Sequence, residues 1–232
     1  MSKRFIISLV ALLAIATVSQ ASLVAYNDFA APSIATANVT QITCGGAGSL
    51  KDITTGEAFA TLTMVTSGYG VGVGGGGSPA AGTEALAYFG GIVDPVGYRY
   101  EFNPKVNAMV FSALDTSKTY ELVLLGFAGN QPAHTFGATI TGAASFTNDT
   151  TLGAGVVISG ANSASTQVLQ TGAIVVRYGN IVPSAAGTFA VDVFASGGNA
   201  ARYNAIRLTQ VPEPASLALL SIGAIGLLRR RK

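Results

Sequence analysis

The sequence predicts an all-β protein built as a single antiparallel β-sandwich. Three observations carry that prediction. Segments rich in Val, Ile, Thr, Tyr and Phe recur about every ten to fifteen residues and are separated by Gly, Asn and Ser, which is the cadence of short strands joined by turns. No amphipathic helical period stands out before the C-terminal tail. The charge-free apolar runs that suit helices lie at the two ends, Phe5 to Val18 and Ala215 to Leu228, as an N-terminal signal helix and a short C-terminal hydrophobic helix.

Taken in order, strands are expected near Leu23 to Phe29, Val39 to Thr43, Ala58 to Val65, Tyr98 to Phe102, Ala108 to Leu114, Thr119 to Phe127, Thr135 to Thr141, Gly155 to Ser159, Thr166 to Tyr178, Thr188 to Phe194 and Tyr203 to Thr209. Two of them show the logic. In Thr188 to Phe194, Phe189, Val191 and Val193 alternate with Ala190, Asp192 and Phe194, which puts Asp192 on the face opposite the valines. Between Phe111 and Tyr120, Asp115 and Ser117 supply turn chemistry between two apolar runs, so a strand, a tight turn and a strand are expected as a hairpin.

Ser67 to Ser78 holds seven glycines. No helix follows to present amides to a phosphate and no Gly-Lys-Ser/Thr ending is present, so it reads as a surface loop.

The termini have a different character. Lys3 and Arg4, the apolar stretch and then Ser19-Gln20-Ala21 form the three regions of a secretory signal peptide over residues 1–21, with cleavage between Ala21 and Ser22. Residues 22–210 form the β-sandwich domain. Residues 211–232 form a third segment: Val211-Pro212-Glu213-Pro214, the apolar run, and the basic end Arg229, Arg230, Arg231 and Lys232. The run has 14 residues. As a helix it reaches roughly 21 Å against a hydrocarbon core of about 30 Å. It suits transient insertion with snorkelling cations better than a permanent span.

This tail resembles the PEP-CTERM sorting domain of exported bacterial proteins, with Pro212-Glu213-Pro214 as the signature tripeptide. The resemblance implies an exosortase, a membrane-embedded cysteine protease, as partner, and cleavage or transfer near Pro212 to Pro214. It implies an exported protein of the cell envelope or extracellular space, in an organism that makes exopolysaccharide. The same tail is sometimes labelled after an ice-binding protein, but flat ice-binding faces need ranks of threonines. This chain has only scattered pairs, Thr61 with Thr63 and Thr139 with Thr141. The turn at Asp115, the run Tyr120 to Leu124 and the closing Tyr203 to Leu208 resemble the jelly-roll sandwiches of galactose-binding-like and carbohydrate-binding modules. From that resemblance, and from the tyrosines in the Tyr88 to Tyr100 region, comes the alternative of a module for exopolysaccharide; Tyr69, Tyr88, Tyr98, Tyr100 and Tyr178 are the side chains that could stack a sugar ring in a glycan-active enzyme.

Charge must be read without the targeting ends. Removing Lys3, Arg4 and the four terminal cations leaves seven basic residues against ten acidic ones between Ser22 and Gln210. The body is mildly acidic and lacks the clustered cations that a nucleic-acid partner needs. Cys44 is the only cysteine, so no intramolecular disulfide forms, and it reads as an unpaired thiol in a glycine-rich turn. His134 is the only histidine and no Gly-x-Ser-x-Gly elbow occurs, so neither a serine triad nor a zinc centre is expected. Glu84, Asp94, Glu101 and Glu121 are glycosidase carboxylates only by elimination, since nothing in their spacing selects a pair. The reading is a non-enzymatic protein with no catalytic, cofactor-binding or metal residues assigned. Asn27, Asp28 and Asp52 either donate oxygens to a structural calcium or bond their own backbone at turns and strand ends.

N-terminal sequencing of the exported protein should start at Ser22, and Ala21→Phe should block that cut. A mature chain that retains Met1 would contradict the signal-peptide reading.

Overall fold

The computed structural model describes residues 21–29, 36–43, 45–65, 71–73, 79, 81–93, 97–101, 105–126, 134–150, 156–158, 163–168, 174–194 and 201–212. The chain divides into two units, and residues 23–210 are the compact β unit. The signal peptide up to Gln20, Cys44, most of the glycine-rich loop, Asp94 and the tail from Glu213 lie outside the described residues.

The strands are β1 (Leu23–Asp28), β2 (Ala47–Lys51), β3 (Ala58–Met64), β4 (Val71–Val73), β5 (Gly97–Glu101), β6 (Lys105–Ser112), β7 (Thr119–Gly126), β8 (His134–Thr141), β9 (Ser145–Asn148), β10 (Val156–Ile158), β11 (Ser163–Val168), β12 (Ile174–Val182), β13 (Phe189–Phe194), β14 (Ala201–Tyr203) and β15 (Ala205–Val211). They form a five-stranded sheet in the order β1-β15-β7-β12-β9 and a seven-stranded sheet in the order β10-β11-β8-β13-β6-β3-β2. A small third sheet has the order β14-β5-β4. The pairings are antiparallel, as in β1 with β15, β12 with β7 and β13 with β6. The all-β sandwich expected from the strand cadence is therefore the architecture of this chain.

The main core lies between the two large sheets. Leu122, Leu124, Val176, Tyr178, Ile206 and Leu208 come from the five-stranded side. Leu62, Phe111, Ile140, Phe189, Val191 and Val193 come from the other. Phe111 and Phe189 stack at 4.6 Å between ring centroids across neighbouring strands. Alternation in β13 works as expected, with Phe189, Val191 and Val193 buried and Asp192 only partly so.

One helix departs from the expectation. Residues Glu84–Phe89 form α1, with Thr83 as its N-cap accepting from the Leu86 amide, and Ala85 and Phe89 buried. Six residues are too few for a helical period to show in sequence. They nonetheless form a second apolar layer, where Phe89 and Val93 pack on Tyr26, Val123, Leu125 and Val175 from the outer face of the five-stranded sheet. That sheet is covered on both faces, which is why β7 reads Leu122-Val123-Leu124-Leu125 without alternation.

Other boundaries moved for identifiable reasons. Val39 to Thr43 is no strand and contributes only an isolated parallel bridge, Asn27 with Thr40. Thr166 to Tyr178 divides between β11 and β12, which belong to different sheets. The closing strand likewise splits at Asn204 into β14 and β15. β2, with Gly48 and Ser49, lacks the β-branched content that would announce it, and β9 is only four residues long.

The expected hairpin at Asp115 is instead an arch between sheets, since β6 pairs with β3 and β13 while β7 pairs with β12. Its turn chemistry is as expected. Asp115 Oδ1 accepts from the Ser117 amide at 2.9 Å and its hydroxyl at 2.7 Å. What directs the chain across the sandwich is Ala113 in the left-handed region, with φ 56°. Gly187, at φ 69°, abuts the Leu114 carbonyl so closely that a Cβ would stand 2.6 Å from its oxygen. The fully buried Tyr120 closes the arch, its hydroxyl oxygen accepting from the Asp115 amide at 2.8 Å. This is the same device as a tyrosine corner, a ring in the core holding a crossing of the chain by its tip.

Tyr120→Phe should remove that link and cost about 1–3 kcal/mol, the penalty for stranding a partly buried donor. Urea unfolding should show a lower midpoint with an unchanged slope; an unchanged midpoint would contradict a role for the hydroxyl in the arch.

Candidate functional site

The first and last strands of the β unit are neighbours. Leu23 stands opposite Gln210, Val24 opposite Thr209, and so on to Asp28 opposite Ala205. Ala21 and Ser22 precede β1 as exposed irregular chain. At the other side of the same pair β15 ends at Val211 and Pro212 follows. Pro212 has no N–H to continue a ladder and biases Val211 to extended geometry, which fixes the strand end where the motif begins. Val211 is 37% exposed and is the one exposed large hydrophobic among the described residues. Ala21 and Ser22, the expected cleavage residues, and the motif residues Val211 and Pro212 thus flank the paired strand ends in sequence. Glu213, Pro214 and Arg229 to Lys232 lie outside the described residues.

Asp52 secures the free edge of β1. Its Oδ2 accepts from the Val24 amide at 2.8 Å, and Oδ1 accepts from the amides of Thr54 at 3.0 Å and Thr55 at 2.7 Å and from the Thr55 hydroxyl at 3.0 Å. The Ile53 amide donates to the Val24 carbonyl at 2.7 Å. One turn further on, the Thr40 amide and hydroxyl donate to the Tyr26 carbonyl, and the Asp28 amide donates to the Thr40 carbonyl. Asn27 Oδ1 accepts from the Ile42 amide at 2.7 Å and the Thr40 hydroxyl at 2.9 Å. The oxygens considered for calcium on Asn27 and Asp52 are therefore engaged by backbone and hydroxyl donors. Among the described residues no group of three or more His, Cys, Asp or Glu is arranged to hold a metal ion.

A second polar cluster ties α1 to the sheet. Arg207 Nη1 donates to Glu121 Oε1 at 2.8 Å, and its guanidinium lies over the Tyr88 ring, 5.1 Å from the centroid. Arg177 Nη1 donates to the Tyr88 hydroxyl at 3.1 Å and lies 3.8 Å from Glu84. Tyr26 meets Phe89 edge-on at 6.0 Å, and burial raises its phenol above the ordinary value, with Arg207 opposing. Charge, ring and helix lock one another here. Of the carboxylates weighed for catalysis, Glu121 and Glu84 both face arginines in this cluster; Glu101 lies on β5 and His134 opens β8. Sequence reading missed the cluster because its members are far apart along the chain, Tyr88 and Arg177 being separated by 89 residues and Tyr88 and Arg207 by more.

Of the tyrosines considered for sugar stacking, Tyr178 is fully buried and donates to the Ala138 carbonyl at 2.5 Å, so it is a core residue. Tyr88 is committed to the two arginines. Tyr98 and Tyr100 lie on β5, and Tyr69 lies outside the described residues.

In sequence, the closing strand is followed by a proline-bounded motif, an apolar run and a cationic end. The match is specific: residues 210–232 fit the family model described as the PEP-CTERM protein-sorting motif. The chain carries that motif, which implies export and sorting through an exosortase. No curated protein and no solved structure matches the chain. Among the described residues no helix is long and apolar enough to cross a membrane.

Burial alone would raise the Asp52 carboxyl; the amides of Val24 and Thr55, the Thr55 hydroxyl and the Thr54 amide outweigh it and hold the group below its ordinary value. A depressed folded value contributes stability that is complete above the unfolded value of about 3.9 and is lost as pH falls through the folded one. Asp52→Asn should cost about 1–3 kcal/mol at neutral pH. It should also flatten the acid limb of stability below about pH 4 relative to wild type. Parallel acid limbs in urea titrations of the two proteins would contradict the clasp.

Proposed function

We propose that this protein is a non-enzymatic component of the cell envelope or extracellular matrix. It is exported by its signal peptide, held briefly at the membrane by residues 215–232, and processed by an exosortase near Pro212 to Pro214. The observation that carries the reading is the match of residues 210–232 to the PEP-CTERM protein-sorting motif, beginning at the last paired residue of β15. The processed product is the β unit, with both of its ends on one strand pair.

The inward use of its polar groups supports a structural task. Arg207 pairs with Glu121 at 2.8 Å, Tyr88 sits between Arg207 and Arg177, and Asp52 serves the backbone. Such groups stabilise a matrix domain, whereas a hydrolase needs two carboxylates converging on open space. The surrounding exopolysaccharide is the medium into which the β unit is delivered.

Intact mass spectrometry of protein from the native cell surface and medium tests this. The expected product lacks Arg229 to Lys232, and the full-length tail should accumulate in the membrane fraction when the exosortase gene is deleted. Mature extracellular protein that keeps Lys232 would overturn the proposal.

A further inference from the structure

Resting on the exosortase reading above, we infer that the end of β15 is part of the protease's substrate and must leave the sheet before the tail is cut. The N–H and C=O of Val24 are both used by the 52–55 turn, on the side of β1 away from β15. Antiparallel ladders alternate hydrogen-bonded and non-hydrogen-bonded pairs. With Val24 facing away, the hydrogen-bonded pairs fall at Leu23 with Gln210 and at Ala25 with Leu208. Both main-chain polar groups of Gln210 are therefore engaged with Leu23. A protease that takes its substrate as an extended segment recognises it through those same groups, by adding it to an edge of its own sheet.

A backbone N–H and C=O cannot serve two strands at once. From Gln210 to Pro214 the chain spans at most about 14 Å, at roughly 3.5 Å per residue. A cut between Pro212 and Pro214 therefore needs Val211, Gln210 and Thr209 as its N-terminal side. Pro212 and Pro214 donate no main-chain hydrogen bond, which shifts main-chain recognition onto these residues. By the same alternation Thr209 and Val211 face β7, on the other side of β15; the paired end of β15 thus gates processing, and the gate opens by fraying two or three residues of β15 from its neighbours. Gln210 acts here through its backbone, which any residue but proline would supply. Its side chain contributes only a long contact, its Oε1 lying 3.4 Å from the Tyr120 hydroxyl.

The test staples the gate. Opposed residues of a hydrogen-bonded antiparallel pair have Cα atoms about 5.5 Å apart, within the roughly 4.4–6.8 Å range that a disulfide spans. In a Cys44→Ser background, Leu23→Cys and Gln210→Cys together should close a disulfide on export, verified by mass. Tail processing in cells, followed by pulse-chase, should slow at least tenfold, while either cysteine alone is processed at the wild-type rate. Inserting Gly-Ser-Gly-Ser between Val211 and Pro212 of the stapled protein should restore processing, because the inserted residues take the place of the strand end. A stapled protein processed as fast as wild type overturns the inference, as does a stapled, linker-bearing protein that remains uncut. If wild type itself is never processed, the exosortase reading fails instead, independently of the gate.

Discussion

The antiparallel pairing of β1 with β15 is the contact on which the rest depends. It joins residues nearly as far apart in sequence as the β unit allows, Leu23 with Gln210, so the five-stranded sheet is completed only when the last strand arrives. Closing so long a loop is entropically costly and must be offset by what the pair organises. β15 puts Ile206 and Leu208 into the main core, while Arg207 on its other face engages Glu121 and Tyr88 beneath α1. β1 would otherwise leave an open edge. The Asp52 turn and the Thr40 bridge occupy the outward N–H and C=O of Val24, the Tyr26 C=O and the Asp28 N–H, which protects the edge from pairing with another chain.

The sorting motif begins where the β1–β15 pair ends: residues 210–232 match it, and Gln210 stands opposite Leu23. The cations at the end of the tail account for a basic overall charge that the β unit does not share. The five-stranded sheet is covered on both faces, and among the described residues Val211 is the one exposed large hydrophobic.

Much of the sandwich was legible from the chain because strand period and turn chemistry are local. β13 reads inward and outward from alternation alone, and the Asp115–Ser117 turn announces itself by residue type. What stayed hidden was non-local. Whether two strands around a turn pair or separate depends on Ala113, Gly187 and Tyr120 acting together, so a hairpin and an arch look alike in sequence. α1 is too short for periodicity, and its existence is signalled only indirectly by the doubly apolar β7 that needs a cover. The Arg177, Arg207, Tyr88 and Glu121 cluster depends on tertiary proximity alone. For the tail the situation is reversed: motif, apolar run and basic end are contiguous, so sequence identified them before any fold was considered.

Amide hydrogen exchange of the exported β unit tests most directly the claim that the first and last strands close the fold as one unit and fray only at their shared end. The amides of Ala25, Asn27, Ile206 and Leu208 that lie in the β1–β15 ladder should exchange together in the slowest class, with Gln210 and Val211 measurably faster. Independent, rapid exchange along the whole of β15 while β1 remains protected would contradict the account.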